Sequence, residues 1–559
     1  FLFAKACLKG GLNVFGINDY QSLIRGGHNF YVVRVDAEEV YSQTDNVDLL
    51  LALNKETIVF HKDELVSGGC IVYDGEEVSL SEEELGRNDL KIYSVPLKRF
   101  VKELEGEMIM KNTVALGAVI ALLDYDLKAL GEVLKASFKP KVAELNFNAA
   151  KRGYDFAREQ YGEDFGYRLE SIDRAGKPRL FITGNEAVGL GALRAGCNFY
   201  AAYPMTPATG VLHFMAANER DYEMIVFQAE SEIAAINMVI GASFAGARTM
   251  TATSGGGFCL MSEGLGMAGM TETPIVLMVA QRPGPSTGLP TYTAQGDLRF
   301  LIHASQGEFP RVVIAPGDVD ECYHTTVDAF NLADRFQIPV LLLTDKYLVE
   351  RHEAEEIFVQ DQIKIDRGAL LLEDSYIGKE EYERHKFTET GISPRAIPGT
   401  KGAIVLTNST EHNESGYTVD DPESTTRIND KRFRKLTILT KELESRETTK
   451  LYGPSNADVT ILGWGSTKGP IREAIKLLGS EGVKANYLQI LYLHPFPTVK
   501  IKEVLKSAKN VVVVENNKTS QLSSLIREHL LTSIDHKILK YDGRPFNPGE
   551  LARLIKEVA

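Results

Sequence analysis

The chain has 559 residues, 44% of them hydrophobic and 25% charged, with a formal charge of −14 at pH 7. That length exceeds one hydrophobic core and predicts about three domains of roughly 150–200 residues. The acidic balance argues against a phosphate-backbone partner, which usually meets a net basic face, and apolar runs such as Ile275 to Ala280 fall well short of the ~20 residues of a membrane span.

Phe1 to Lys9 has helical periodicity and ends at Gly10-Gly11 before a strand at 12–15. A strand and a turn should precede that helix, so the numbering is expected to begin inside a domain. In Arg25-Gly26-Gly27 a cation lies beside two N–H groups free of side chains. Such a turn suits a phosphate, or is a plain tight turn with a solvated arginine. Strands are expected at 30–35, 48–53, 57–60 and 70–73 and a helix around 115–123, which together describe a small α/β domain. A helix through Asn146, Gly153 and Tyr154 closes it, and 163–177 reads as a charged linker.

A second α/β unit is expected to begin with the strand at 179–183. The glycines that follow are spaced G-x-x-x-x-G-x-G, and no acidic residue closes a second strand about 20 residues on, which argues against a dinucleotide site. Strands at 198–203, 223–228, 248–253, 274–279, 311–315 and 339–343, with helices between them, describe a doubly wound parallel sheet. Its binding site should lie at the carboxyl ends of the strands.

Polar stretches fall at those ends. In Tyr203-Pro204-Met205-Thr206-Pro207 two prolines bracket Thr206 and stiffen its backbone. Gln228-Ala229-Glu230-Ser231-Glu232 leads into an apolar helix, with Glu232 at its start. Arg282-Pro283-Gly284-Pro285-Ser286-Thr287-Gly288-Leu289-Pro290-Thr291 carries a planar fork matched to a carboxylate, on a loop that proline and glycine keep irregular. Ser254-Gly255-Gly256-Gly257 either presents N–H groups to the same edge or is a plain strand-to-helix turn. A small organic acid is the guest these loops suit; a helix-capping acid and an exposed surface arginine are the bland alternatives.

Residues 351–389 are charged and weakly periodic. His412 lies between carboxylates but has no second ligand at helical spacing, so a solvated turn is expected rather than a metal site. The basic run from Lys431 to Lys435 likewise reads as a solvated loop. A third βαβα unit has strands beginning at Val459, Ala485 and Val511. The cysteines Cys7, Cys70, Cys197, Cys259 and Cys322 are dispersed without a C-x-x-C pair. No disulfide framework, zinc site or iron–sulfur site is therefore expected, and a reducing cytoplasm fits.

In their order and spacing, the Tyr203–Pro207 element, the Gln228–Glu232 element with its Gly/Ala-rich helix, and the Arg282–Thr291 loop resemble one family. It is the α subunit of the 2-oxoacid:ferredoxin oxidoreductases, in the form with a γ domain fused in front, and the likeness covers nearly the whole chain. The resemblance implies three α/β domains. Residues 1–175 would be γ-like; 176–390 would hold a doubly wound sheet resembling a thiamine diphosphate pyrimidine-binding domain; 391–559 would resemble the transketolase C-terminal domain. It further implies coenzyme A-dependent oxidative decarboxylation of a 2-oxo acid (2-oxoglutarate, pyruvate or a broad range) to acyl-CoA and CO2, with electrons passed to ferredoxin.

Residue by residue, Glu232 matches the glutamate that hydrogen-bonds the aminopyrimidine ring of thiamine diphosphate, and is preferred over Glu230 by the helix that follows it. Thr206 matches the threonine near the substrate carbonyl and the cofactor, and Arg282 the arginine that pairs with the substrate carboxylate, with Thr291 nine residues on. Tyr203, Pro204 and Ser254 fall to the cofactor, and Arg25 to coenzyme A. No Gly-Asp-Gly magnesium motif occurs, and no metal is expected on this chain. A β subunit is expected to bring Mg2+ and a [4Fe–4S] cluster, in a heterodimer or a dimer of heterodimers. The alternatives are the indolepyruvate branch, which usually carries its own cluster cysteines, and a non-catalytic scaffold subunit.

Overall fold

Short β-branched runs alternate with helical segments along most of the chain. A computed structural model describes residues 1–22, 26–44, 46–173, 179–358, 363–371 and 381–559 and folds them into four sheets. By their contacts the residues form two units, Phe1–Phe181 with Glu353–Ile357, and Ile182–His352 with Phe358–Ala559.

The first unit contains the parallel strands Val47–Leu51, Leu65–Tyr73 and Lys91–Ser94. They pack through Cys70, Val72 and Tyr93 on a core that includes Phe100, Val114 and Ala118. The strand expected at 57–60 is instead part of the helix Lys55–His61. Asn54 caps that helix by accepting the Thr57 N–H at 2.9 Å, and the cap overrides the β propensity of Thr57-Ile58-Val59. The strand Arg179–Thr183 does not open the central sheet either. It is an edge of a four-stranded sheet ordered Phe30–Asp36, Asn13–Asp19, His352–Glu356, Arg179–Thr183. Arg179 fixes that choice by donating to Leu12 O and Asn13 Oδ1, both at 2.8 Å.

The second unit is built on seven strands in the order Tyr492–His494, Val312–Ile314, Pro339–Asp345, Ile275–Gln281, Thr249–Thr253, Phe199–Ala202, Ile225–Gln228. All neighbouring pairs are parallel except the first, which is antiparallel. Ile275–Gln281 is buried along its whole length, as a central parallel strand must be. One helix group, Gly184–Arg194, Thr209–Asn218 and Val319–Phe336, packs together; a second, Glu232–Phe244 and Gly255–Met270, packs separately. The doubly wound sheet read from the sequence is thus present. A five-stranded sheet follows, ordered Thr449–Tyr452, Ala485–Ile490, Val459–Gly463, Asn510–Glu515, His536–Leu539. One core runs from Val279 and Leu343 of the larger sheet to Trp464 and Leu488 of the smaller.

The basic run expected in a solvated loop lies inside the helix Pro422–Glu444, with Lys431, Arg432 and Lys435 buried. The buried Glu272 explains it, accepting from Lys431 Nζ at 2.5 Å and from His385 Nδ1 at 3.0 Å and pairing with Lys435. Burial raises the Glu272 carboxyl, but Lys431, Lys435 and His385 outweigh it and hold the group well below the usual carboxylate range. Burial lowers Lys431 to about 7. His412 is also buried, its ring centroid 4.0 Å from that of His385, rather than in a solvated turn.

Candidate active site

Strand order locates the site. Phe199–Ala202 lies between Ile225–Gln228 and Thr249–Thr253, so the chain moves first to one side of it and then to the other. Ligands bind open α/β sheets at the carboxyl ends of the strands beside such a reversal. The four adjacent strands there end at Ala202, Gln228, Thr253 and Gln281. Thr206, Glu232, Ser254 and Arg282 follow those ends within four residues.

The Thr206 and Arg282 loops touch directly. Arg282 Nη1 donates to Thr206 O at 2.7 Å, and the next carbonyl, Pro207 O, accepts from Asn185 Nδ2 at 3.0 Å. Both contacts hold the threonine loop through its backbone, and the Thr206 hydroxyl makes no hydrogen bond among the described residues. The Arg282 guanidinium is half-buried, and desolvation lowers its pKa from the ordinary arginine value. Among the described residues no carboxylate lies within ion-pair distance of it. A desolvated cation without a counter-charge favours an incoming anion, and the planar fork favours a carboxylate.

Glu232 is 3% exposed and is the first residue of its helix, whose cap is Ser231 Oγ accepting the Ala234 N–H at 3.2 Å. Its Oε1 is buried and has no hydrogen-bond partner among the described residues. Glu230, two residues earlier, is exposed. Ser254 Oγ and Thr291 Oγ1 are likewise buried and unpartnered among the described residues. Leaving such atoms unsatisfied costs about 1–3 kcal/mol each, a cost that a ligand's polar groups would offset. Tyr203 is exposed and Pro204 half-buried on the Thr206 loop. Among the described residues, Tyr203 and Thr291 make no hydrogen bond to Thr206, Glu232 or Arg282. Arg25 lies outside the described residues.

Several contributors were not legible in the sequence. Asn185 reads there as part of a strand–turn–helix, and nothing announces its bond to Pro207. Asp297 is half-buried with its carboxyl against Gly255, and burial pushes it up to about 6. Its backbone N–H is fixed by Gln281 Oε1 at 2.9 Å. The arginine loop is tied to the last sheet's connections at several points. Gln295 N donates to Asn516 O at 2.7 Å, Asn516 N to Gln295 Oε1 at 2.9 Å, Asn517 Nδ2 to Gln295 O at 3.0 Å, and Thr293 N to Gly543 O at 3.0 Å. The C-terminal sheet therefore helps to fix the loop that carries Arg282 and Thr291.

Exposed apolar side chains on the elements of this edge offer a candidate contact face. The helices Glu232–Phe244 and Gly255–Met270 are apolar nearly all round, yet Ile233, Leu260 and Met267 are exposed, as are Ile225 and Phe227 on the edge strand. Such a face is characteristic of a protein contact. Among the described residues no group of three His, Cys, Asp or Glu side chains is disposed to hold a metal ion. No helix among them is long and apolar enough to cross a membrane.

Three family models match the chain in succession. Residues 1–156 match "Pyruvate ferredoxin/flavodoxin oxidoreductase", residues 190–430 "Pyruvate flavodoxin/ferredoxin oxidoreductase, thiamine diP-bdg", and residues 457–551 "Pyruvate:ferredoxin oxidoreductase core domain II". A 2-oxoacid:ferredoxin oxidoreductase subunit alpha from Sulfolobus sp is 33% identical over 610 residues, spanning 100% of this chain and 94% of that protein. The 2-oxoglutarate synthase subunit KorA of Methanothermobacter thermautotrophicus is 33% identical over 380 residues, 67% of this chain and 97% of that one. Among solved structures, the 2-oxoglutarate:ferredoxin oxidoreductase of Magnetococcus marinus, with 2-oxoglutarate, coenzyme A and succinyl-CoA bound, superimposes with a TM-score of 0.91. Its sequence is 35% identical, and the match covers 100% of this chain and 96% of that one.

Proposed function

Because the chain belongs to the α-subunit family of the 2-oxoacid:ferredoxin oxidoreductases, enzymes that oxidise 2-oxo acids with ferredoxin as acceptor, we propose that its four-strand edge is half of a thiamine diphosphate site. The observation that carries this reading is Glu232 Oε1, a buried carboxyl oxygen at the carboxyl-end edge of the sheet with no hydrogen-bond partner among the described residues. That donor set fits an aminopyrimidine ring, whose ring nitrogen needs one carboxyl group as hydrogen-bond partner. When bound, the cofactor supplies the nucleophilic carbon and the electron sink that decarboxylation of a 2-oxo acid requires.

The residues of this chain take the following roles. Glu232 holds the aminopyrimidine ring and its proton. Tyr203 and Pro204 line the cofactor, and the Ser254 hydroxyl faces it. Arg282 takes the substrate carboxylate, with Thr291 on the same loop, and the Thr206 hydroxyl orients the 2-oxo group. The names of similar proteins favour 2-oxoglutarate as substrate, with coenzyme A as acyl acceptor bound by the 1–175 domain. Residues 176–390 would form the pyrimidine-binding domain and 391–559 the transketolase-like one.

A β subunit would supply Mg2+ and the [4Fe–4S] cluster and cover the apolar face of Ile225, Ile233 and Leu260, giving a heterodimer or a dimer of heterodimers in the cytoplasm. Purifying the chain with and without that subunit tests the reading by iron content, thiamine diphosphate affinity and dye reduction with pyruvate and 2-oxoglutarate. The isolated chain should lack all three properties and the complex should have them. Iron, tight cofactor binding and activity in the isolated chain would overturn it.

A further inference from the structure

Gly257 is buried in the first turn of the helix Gly255–Met270. Its φ is not positive, so an L side chain would suffer no backbone strain there, and glycine is the poorest helix former after proline. Space explains its presence. A Cβ at position 257 would lie 2.1 Å from Thr253 Oγ1, 2.6 Å from Glu232 Oε1 and 2.9 Å from Glu232 Cγ. Each of these is far inside van der Waals contact, so any side chain would displace Thr253 or Glu232. The preceding residue is unlike it: a Cβ at Gly256 would meet nothing nearer than Ser286 O at 4.0 Å. The Thr253 hydroxyl lies 3.8 Å from Met205 Sδ and donates to that sulfur, in the loop that carries Thr206.

We propose that Gly257 is a positioning residue for Glu232. Its bare Cα, with the Thr253 hydroxyl turned toward Met205, leaves room for the Glu232 carboxyl beside the helix, with Oε1 unpaired among the described residues, and so sets where the carboxyl group stands. This deepens the reading of Glu232 above and rests on it. Adding a methyl group at 257 moves the carboxyl away from the ring it serves, without touching substrate or cofactor itself.

The test uses the assembled complex with its β subunit and the variants G257A, G256A, E232Q and E232Q/G257A. Thiamine diphosphate dissociation constants are measured by calorimetry, kcat/KM with the 2-oxo acid, and Tm by scanning. G257A should lower kcat/KM on the order of 100-fold, the scale of a displaced catalytic group, and weaken cofactor binding measurably, while G256A leaves both within about twofold of wild type. In the E232Q background G257A should add little, because residues acting through one group are not additive. Wild-type cofactor affinity and turnover in G257A, or a loss that multiplies fully onto that of E232Q, would overturn the proposal.

Should G257A not assemble, the comparison is repeated in T253A, which removes the nearer clash and leaves the added methyl against Glu232 alone. Failure there also contradicts the proposal, because it makes the fold rather than the glutamate the element that yields. Near-normal turnover of E232Q removes the underlying reading of Glu232; loss in E232Q with an unaffected G257A removes only this inference.

Discussion

Glu232 and Glu272 lie in the same unit, 3% and 1% exposed, and each begins or follows a helix of the central sheet domain. Their surroundings are opposite. Glu272 is met by Lys431, Lys435 and His385, so its charge is compensated within the chain and it pins the helix Pro422–Glu444 against the sheet domain. Among the described residues Glu232 receives no cation, and its Oε1 has no hydrogen-bond partner. Burial alone therefore does not separate a structural carboxylate from a functional one. The charge partners do for this pair, because Glu272 is neutralised by neighbouring cations whereas Glu232 has none among the described residues.

The largest effect expected from this contrast is on stability. Glu272→Gln leaves two buried ammonium groups without a counter-charge and should destabilise the fold by about 3–5 kcal/mol, seen as a large drop in the Tm of the assembled complex. Turnover per folded molecule should stay near wild type. An unchanged Tm would show that the Glu272 cluster is not what anchors the helix.

Arg282→Lys should do the reverse, leaving Tm unchanged while costing about 1.5–3 kcal/mol in kcat/KM for every 2-oxo acid, since lysine keeps the charge and loses the bidentate fork. Equal kcat/KM in the two proteins would remove Arg282 from the site.

Asp297, half-buried and without a hydrogen-bond partner for its carboxyl among the described residues, gives the smallest effect. Burial pushes it up to about 6, above the ~3.9 of an unfolded chain. The folded state therefore holds more protons between those values, and stability falls as pH rises through that window. Asp297→Asn removes this dependence, so its Tm should gain on wild type between about pH 4 and pH 7; a constant difference would contradict the assignment.

The gathering of the candidate loops on one sheet edge was largely legible because it is local. Each of the loops carrying Thr206, Glu232, Ser254 and Arg282 directly follows an apolar strand whose period and length are read within a few residues, and a parallel sheet gathers such loops on one edge. What the sequence hid depends on distant partners. Lys431 and Lys435 look solvated until Glu272, 159 residues from Lys431, is brought against them. Gln295 gains its meaning from Asn516, 221 residues away. Arg179–Thr183 has the pattern of a strand, but only the contacts of Arg179 decide which sheet it joins. Thr57 to Phe60 failed for the opposite reason, since a cap three residues before Thr57 outweighs the propensity of the run it precedes.

The central claim, that the Glu232 carboxyl is the cofactor's partner, is tested most directly by Glu232→Gln in the assembled complex, with turnover and Tm measured on the same preparation. The account predicts turnover lowered by at least ~100-fold, the scale of losing a positioned acid–base group, with Tm and assembly unchanged. Near-normal turnover, or a loss that merely follows a fall in Tm, would contradict it.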